Sequence, residues 1–162
     1  MKGALGEFDG RQLAHANVSR LRYAADDARL AELMDAFAHV NQLAERAPGF
    51  VWRYPTTGAH YSLPDDPRTL LNVSVWKGYE SLHLFVYRSK HFHYVRRTAE
   101  WFEPVAQPST ALWWVAQGTT PSPEEALAHI DYLRRYGPTP RAFSLRRRFA
   151  PDGRPEQRAR RV

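Results

Sequence analysis

Cysteine is absent from the 162-residue chain. Disulfide scaffolding, thiolate nucleophiles, iron–sulfur clusters and cysteine-ligated zinc or haem are thereby excluded, so any metal must be held by His, Asp, Glu or Tyr. Long apolar runs are missing too. Nothing approaches the ~18 uninterrupted residues of a membrane-spanning helix, and the opening MKGALGEFDG lacks the basic-then-apolar order of a secretory signal. The expectation is a soluble, cytoplasmic protein with no membrane partner. No phosphate-binding loop, dinucleotide fingerprint or nucleophile elbow is present, so nucleotide hydrolysis, nicotinamide chemistry and α/β-hydrolase chemistry lose their usual warrants.

Charge of one sign is confined to one end. The formal net charge is +6, yet residues 141–162 hold eight Arg against Asp152 and Glu156, which leaves residues 1–140 neutral. A neutral body with a basic, Pro- and Gly-containing end (FAPDGRPEQRARRV) reads as a domain followed by a solvated tail, and specific nucleic-acid binding is not expected. With 43% apolar and 13% aromatic residues the body can bury one substantial core. The predicted organisation is a flexible N-terminus at 1–11, one domain at 12–150 and a basic, disordered tail at 151–162.

What is present is an ordered series of periodic segments. HANVSRLRY (15–23) alternates as a strand, and from Asp26 or Asp27 the spacing of Leu30, Leu33, Met34, Phe37 and Asn41 predicts a helix that RAPG stops. FVWRY (50–54) and LLNVSVW (70–76) read as strands across a loop containing Gly58, Pro64 and Pro67. A helical stretch follows, broken near Arg88–Lys90, then the strand STALWWVAQG (109–118). SPEEALAHIDYLRRY opens with Ser122 as N-cap, Pro123 at the first position and Glu125 at the third, the signature of a capping box. Strand, helix, two strands, helix, strand, helix is the split β-α-β order of a ferredoxin-like α+β fold with an antiparallel sheet.

Period two assigns the strand faces. Ala14, Ala16 and Val18 oppose His15, Asn17 and Ser19, while Leu71, Val73 and Val75 oppose Asn72, Ser74 and Trp76. Phe50, Trp52 and Tyr54 fall on one face of their strand, and Leu112 and Trp114 oppose Trp113 and Val115. Large aromatics on both faces do not suit a sheet with one solvated side. The second face is expected to be covered, most economically by the same sheet of a second copy around a cavity. AFSLRRRF (142–149) alternates enough for an added edge strand and fits a solvated edge equally well.

The stretch YESLHLFVYRSKHFHYVRRTAEWFE holds three of the seven histidines. On a helix from about 88 to 102, His91 shares a face with Val95, Thr98 and Phe102, whereas His93 joins Arg96, Arg97 and Glu100 on a charged face. His83 has mixed neighbours, Val86, Tyr87 and Lys90. An inward His91 is open to three readings: a hydrogen-bonded core residue, a haem axial ligand, or a general base beside a bound acid.

ANVSRLRYAADD, LAERAPGFVWR, LLNVSVW, FVYRSKHFHYVRRTAEWFE, LWWVAQGTTPSPEEA and YGPTPRAFSLRRRFAP together resemble the DUF3291 family, a bacterial domain of unknown function, over about residues 12–151. The resemblance implies a dimeric α/β barrel similar to spheroidene monooxygenase, in a superfamily that holds both haem enzymes and cofactor-free monooxygenases. The histidine of YRSKH falls on the family motif, which singles out His91 and leaves His60, His83 and His93 outside it.

The leading expectation is a haem-binding, monooxygenase-like oxidoreductase acting on a small apolar or aromatic metabolite, with His91 as axial iron ligand to haem b. Arg88, Arg96 or Arg97 would bind the propionates, Trp52, Trp76 and Phe85 would wall the cavity, and Asn17 and Ser74 would supply hydrogen bonds. A cofactor-free monooxygenase with His91 as base, or a small-molecule binding module without catalysis, are the alternatives.

Overall fold

A computed structural model describes residues 10–56, 60–88 and 97–157. Five strands, β1 (Arg11–Arg20), β2 (Phe50–Arg53), β3 (Tyr61–Leu63), β4 (Asp66–Trp76) and β5 (Thr110–Ala116), form one antiparallel sheet ordered β2-β4-β1-β5, with β3 also paired to β4. Setting aside the short β3, the long strands run second, third, first, fourth, which is the ferredoxin-like order anticipated from the sequence. The helices are α1 (Ala31–Arg46), α2 (Tyr79–Arg88), α3 (Thr98–Trp101) and α4 (Pro123–Tyr136). None of the described helices is long and apolar enough to cross a membrane.

The capping signals act as read. Ser122 accepts from the Glu125 N–H at 3.1 Å while Glu125 accepts from the Ser122 N–H at 3.0 Å, fixing the start of α4. Before α1, Asp27 accepts from the Arg29 N–H at 2.9 Å to cap a short 3-10 turn. The helix ends at Ala47, and Gly49, at a φ of 81°, turns the chain into β2.

Three readings need correction. The loop between the second and third predicted strands contains β3, and β4 begins at Asp66 rather than Leu70; the two make a tight hairpin whose turn is Pro64–Asp65, and the prolines masked the pairing. Phe50 and Trp52 do not share a face. A bulge between them shifts the register, so Phe50 packs edge-on to Trp76 on one side while Trp52 joins the cluster on the other. Of the expected helix from about 88 to 102, residues 89–96 lie outside the described residues, Thr98–Trp101 are helical after a cap at Arg97, and Phe102 is extended and bridges to Leu21. Of AFSLRRRF, Phe143 alone pairs with the sheet, exchanging bonds with Leu112 at 2.8 and 2.9 Å, before Ser144–Arg147 turns away. Residues 150–157 fold into a further turn, with Phe149 bridged to Pro155 and Arg148 paired to Glu156 at 2.8 Å.

The sheet's two faces are covered differently. Ala14, Ala16, Val18, Leu71, Val73, Val75, Trp113 and Val115 pack under Ala126, Ile130 and Leu133 of α4, so the cover over β1 and β5 comes from this chain's own last helix. The opposite face carries two separate apolar clusters. Leu13, Trp76 and Leu112 meet Ala44 of α1, Leu82 of α2 and Phe143 at one end, and Leu21 and Leu70 meet Leu30, Leu33 and Trp101 at the other. Between these clusters the strands present His15, Asn17, Ser19, Asn72 and Ser74.

A Cβ at Gly49 would run into the Ser81 side chain, and the positive φ disfavours any L side chain. Gly49→Ala is expected to cost ~2 kcal/mol or more of stability; equal chemical-denaturation midpoints for variant and wild type would refute this tight β2–α2 approach.

Candidate functional site

Strand register builds the site. Asn17 pairs with Asn72 on one side and Thr110 on the other, and Tyr61 opposite Leu71 brings His60 beside Asn72. One row across the sheet therefore reads His60, Asn72, Asn17, Thr110. The neighbouring row reads Arg53, Ser74, His15, Leu112. A sheet face beneath helices is ordinarily apolar; here two adjacent rows are polar.

Above the first row lies a cavity of about 610 Å³, lined by Asn17, Ser19, Leu70 and Asn72 from the sheet, Phe37, Val40 and Asn41 from α1, and His60, Thr98 and Phe102. Asn72 stands on an inner strand and is nevertheless exposed, because the helices leave space over it. Apolar walls with a few converging polar groups, at this volume, suit a small organic ligand. Phe37 sits centrally, its ring 6.4 Å from His60 and 6.3 Å from Phe102.

The floor groups have defined roles. The amide nitrogen of Asn17 donates to Thr110 Oγ1 at 2.8 Å and to the Ser109 carbonyl at 3.4 Å. Since a carbonyl accepts only, that end must be the NH2, which leaves Oδ1 as the acceptor on offer. His60 Nδ1 is buried and meets no hydrogen-bond partner among the described residues. Burial pushes the His60 imidazole below its ordinary pKa, so it is neutral and able to accept a proton. Deeper in, Trp76 Nε1 donates to Ser74 Oγ at 3.0 Å, and Ser74 Oγ lies 3.3 Å from His15 Nδ1. Burial lowers the His15 pKa from 6.5 to about 4.

The rim is held by charge. Arg20 bridges Asp66 at 3.0 Å and Glu103 at 2.8 Å, and Arg68 reaches Glu103 at 2.6 Å, tying β1 and β4 to the segment after α3. Each such pair, partly exposed, contributes little alone; as a network they fix where Phe102 and Glu103 meet the cavity.

Of the residues singled out from sequence, Asn17 lines the cavity. Ser74, Trp76 and Phe85 form the adjoining buried layer, with Phe85 stacked on Trp76 at 5.2 Å. Trp52 lies on the other face, edge-on to Tyr54 at 6.2 Å, and does not meet Trp76. Arg97 donates to Glu32 at 2.6 Å and Glu100 at 3.0 Å, with its guanidinium over Trp101. His91, Arg96 and the side chain of Arg88 lie outside the described residues. Sequence reasoning missed His60 and Asn72 as site residues. The signal for Asn72 was the polar alternation of NVS under predicted helices; nothing pointed to His60 until β3 was known.

The fold and its cavity define the class: a ferredoxin-like α+β domain with a ligand-sized cleft between sheet and helix. The chain belongs to the family described as Domain of unknown function (DUF3291), matched over residues 12–159. No curated protein matches it. Among solved structures it is similar to SnoaB, a cofactor-independent oxygenase from Streptomyces nogalater, at 17% identity over 68% of this chain and 98% of that one, with a TM-score of 0.49. Protein SO0527 from Shewanella oneidensis gives 14% identity, 67% and 93% coverage and a TM-score of 0.49. PA3566 from Pseudomonas aeruginosa gives 7% identity, 72% and 100% coverage and the same TM-score. These distant likenesses are likenesses of chain path. Among the described residues no three His, Asp or Glu side chains gather to hold a metal ion.

The low His15 pKa has a stability consequence. The folded state keeps the ring neutral while the unfolded chain protonates below 6.5, so stability is full above that pH and is lost as pH falls towards about 4. At about 1.4 kcal/mol for each pH unit, the loss from this group approaches ~3 kcal/mol, and His60 and His129, also lowered by burial, add in the same direction. In denaturation curves from pH 7 to pH 4, His15→Gln should flatten the dependence; an unchanged slope would place the ring in water.

Proposed function

We propose that the chain is a monooxygenase-like oxidoreductase that binds a small aromatic metabolite on the polar floor of the α1–sheet cavity and needs no cofactor. The observation that carries this reading is the polar row His60, Asn72, Asn17 lining one cavity with Phe37, with Asn72 exposed on an inner strand of the sheet. A phenolic or enolic hydroxyl beside Asn17 gives its proton to neutral His60, and the side-chain amide of Asn72 donates to the oxyanion that remains. The electron-rich anion that results reacts with dioxygen directly, while the aromatic walls keep water from the intermediate.

Haem with His91 as ligand is the competing reading. His91, Arg96 and the side chain of Arg88 lie outside the described residues, and Arg97, the remaining propionate candidate, has its donors on Glu32 and Glu100. A sharp Soret band on adding haemin, lost in His91→Ala, would replace the cofactor-free reading.

A homodimer belongs to the same proposal. Trp52, Tyr54 and Tyr61 remain half-buried on the sheet face that α4 shares, a surface that a second copy would cover. Sedimentation at micromolar concentration should give twice the monomer mass; a monomer removes this part.

The site reading is tested with two probes. Titration with 2-naphthol should saturate, and Asn72→Ala should weaken it about fivefold, the effect of one lost hydrogen bond. Oxygen uptake with anthrone, whose methylene becomes a carbonyl with release of water, should exceed the uncatalysed rate and fall at least ~10-fold in His60→Gln. Binding without enhanced uptake would leave a carrier in place of an enzyme, and no saturable binding would end the reading.

A further inference from the structure

Five arginines surround the cavity and its rim, and four are engaged by carboxylates. Arg20 and Arg68 hold Glu103 and Asp66, Arg53 holds Glu45 at 2.6 Å, and Arg97 holds Glu32 and Glu100. Arg22 differs. It lines the cavity, its backbone N–H donates to the Trp101 carbonyl at 2.8 Å and its Nε donates to the Ala99 carbonyl at 2.8 Å. Its two terminal nitrogens meet no acceptor among the described residues. The guanidinium is thus oriented by one bond and presents the remaining fork, the geometry that pairs with a carboxylate through two parallel N–H bonds. Glu103, the acid on the same rim, is already matched by Arg20 and Arg68 and does not compete for it.

We infer that Arg22 is a specificity residue and that the ligand of this cavity carries a carboxylate, an inference that rests on the site reading above. Asn17 lies within β1 and Arg22 just past its end at Arg20, and both line the same cavity with Phe37 and Phe102. The ligand is then an aromatic acid, its carboxylate at Arg22 and its hydroxyl at the Asn17–Asn72 floor.

Calorimetric titration of the full chain with 6-hydroxy-2-naphthoate and with 2-naphthol separates the two claims. The acid should bind wild type about threefold to fivefold more tightly than the naphthol, as one charge-assisted pair at an exposed arginine warrants. In Arg22→Gln the advantage should vanish while 2-naphthol binds as before, which also reports that the variant is folded. Arg22→Lys, which keeps charge but not the fork, should retain part of it. Equal wild-type affinity for both probes, or an advantage that survives Arg22→Gln, overturns the inference and leaves the cavity reading standing. Failure of both probes to bind wild type overturns the two together.

Discussion

The structure turns on a gap in the apolar cover of one sheet face. Polar side chains beneath helices are costly to bury unless partnered, and His15, Asn17, Ser19, Asn72 and Ser74 occupy the middle of the face that α1 and α2 cover. The chain meets the cost in two ways. Ser74 is buried and hydrogen-bonded to Trp76, in contact with His15. Asn72 instead faces open space, and Asn17, its amide nitrogen held by Thr110 and Ser109, lines the same cavity. Apolar clusters at either end, Leu13–Trp76–Leu112 and Leu21–Leu70–Trp101, hold the helices on the sheet while the interval between them stays unfilled. The cavity follows from where the apolar residues stop.

That arrangement links packing to chemistry. Partnered polar groups close to the core give fixed tautomers and orientations, as with the Asn17 amide, so the acceptor it offers is preorganised. Burial keeps His60 and His15 neutral, the state needed for a proton acceptor. The ion-pair network of Arg20, Asp66, Arg68 and Glu103 stabilises the fold modestly but determines where the rim lies, and so which side chains reach a ligand.

Much of the fold was legible in the sequence because its signals are local. The capping box at Ser122, the heptad-like spacing from Leu30 to Asn41 and the alternation of β1 and β4 each specify one element, and their order gives the topology. What was not legible depends on pairing. The β2 bulge, which separates Phe50 from Trp52, and the β3 hairpin, hidden by Pro64 and Pro67, are set by cross-strand contacts that no single segment records. The covering of the second face by α4 was also missed, since its buried Ala126, Ile130 and Leu133 read as an ordinary amphipathic stripe without a stated target. For the site, Asn17 and Ser74 were selected from alternation and do lie on the polar face. His60 was passed over because the strand that follows it was unrecognised, and His91, selected by motif, lies outside the described residues.

The central claim is that the polar floor binds the ligand. Side-chain amide resonances of Asn17 and Asn72, followed by nitrogen–proton correlation spectra during a 2-naphthol titration, report on it most directly. The account predicts saturable shifts at both amides together with the His60 ring, while the Trp52 indole on the opposite face stays unmoved. Shifts confined to Trp52 and its neighbours, with Asn17 and Asn72 unaffected at saturation, would contradict it.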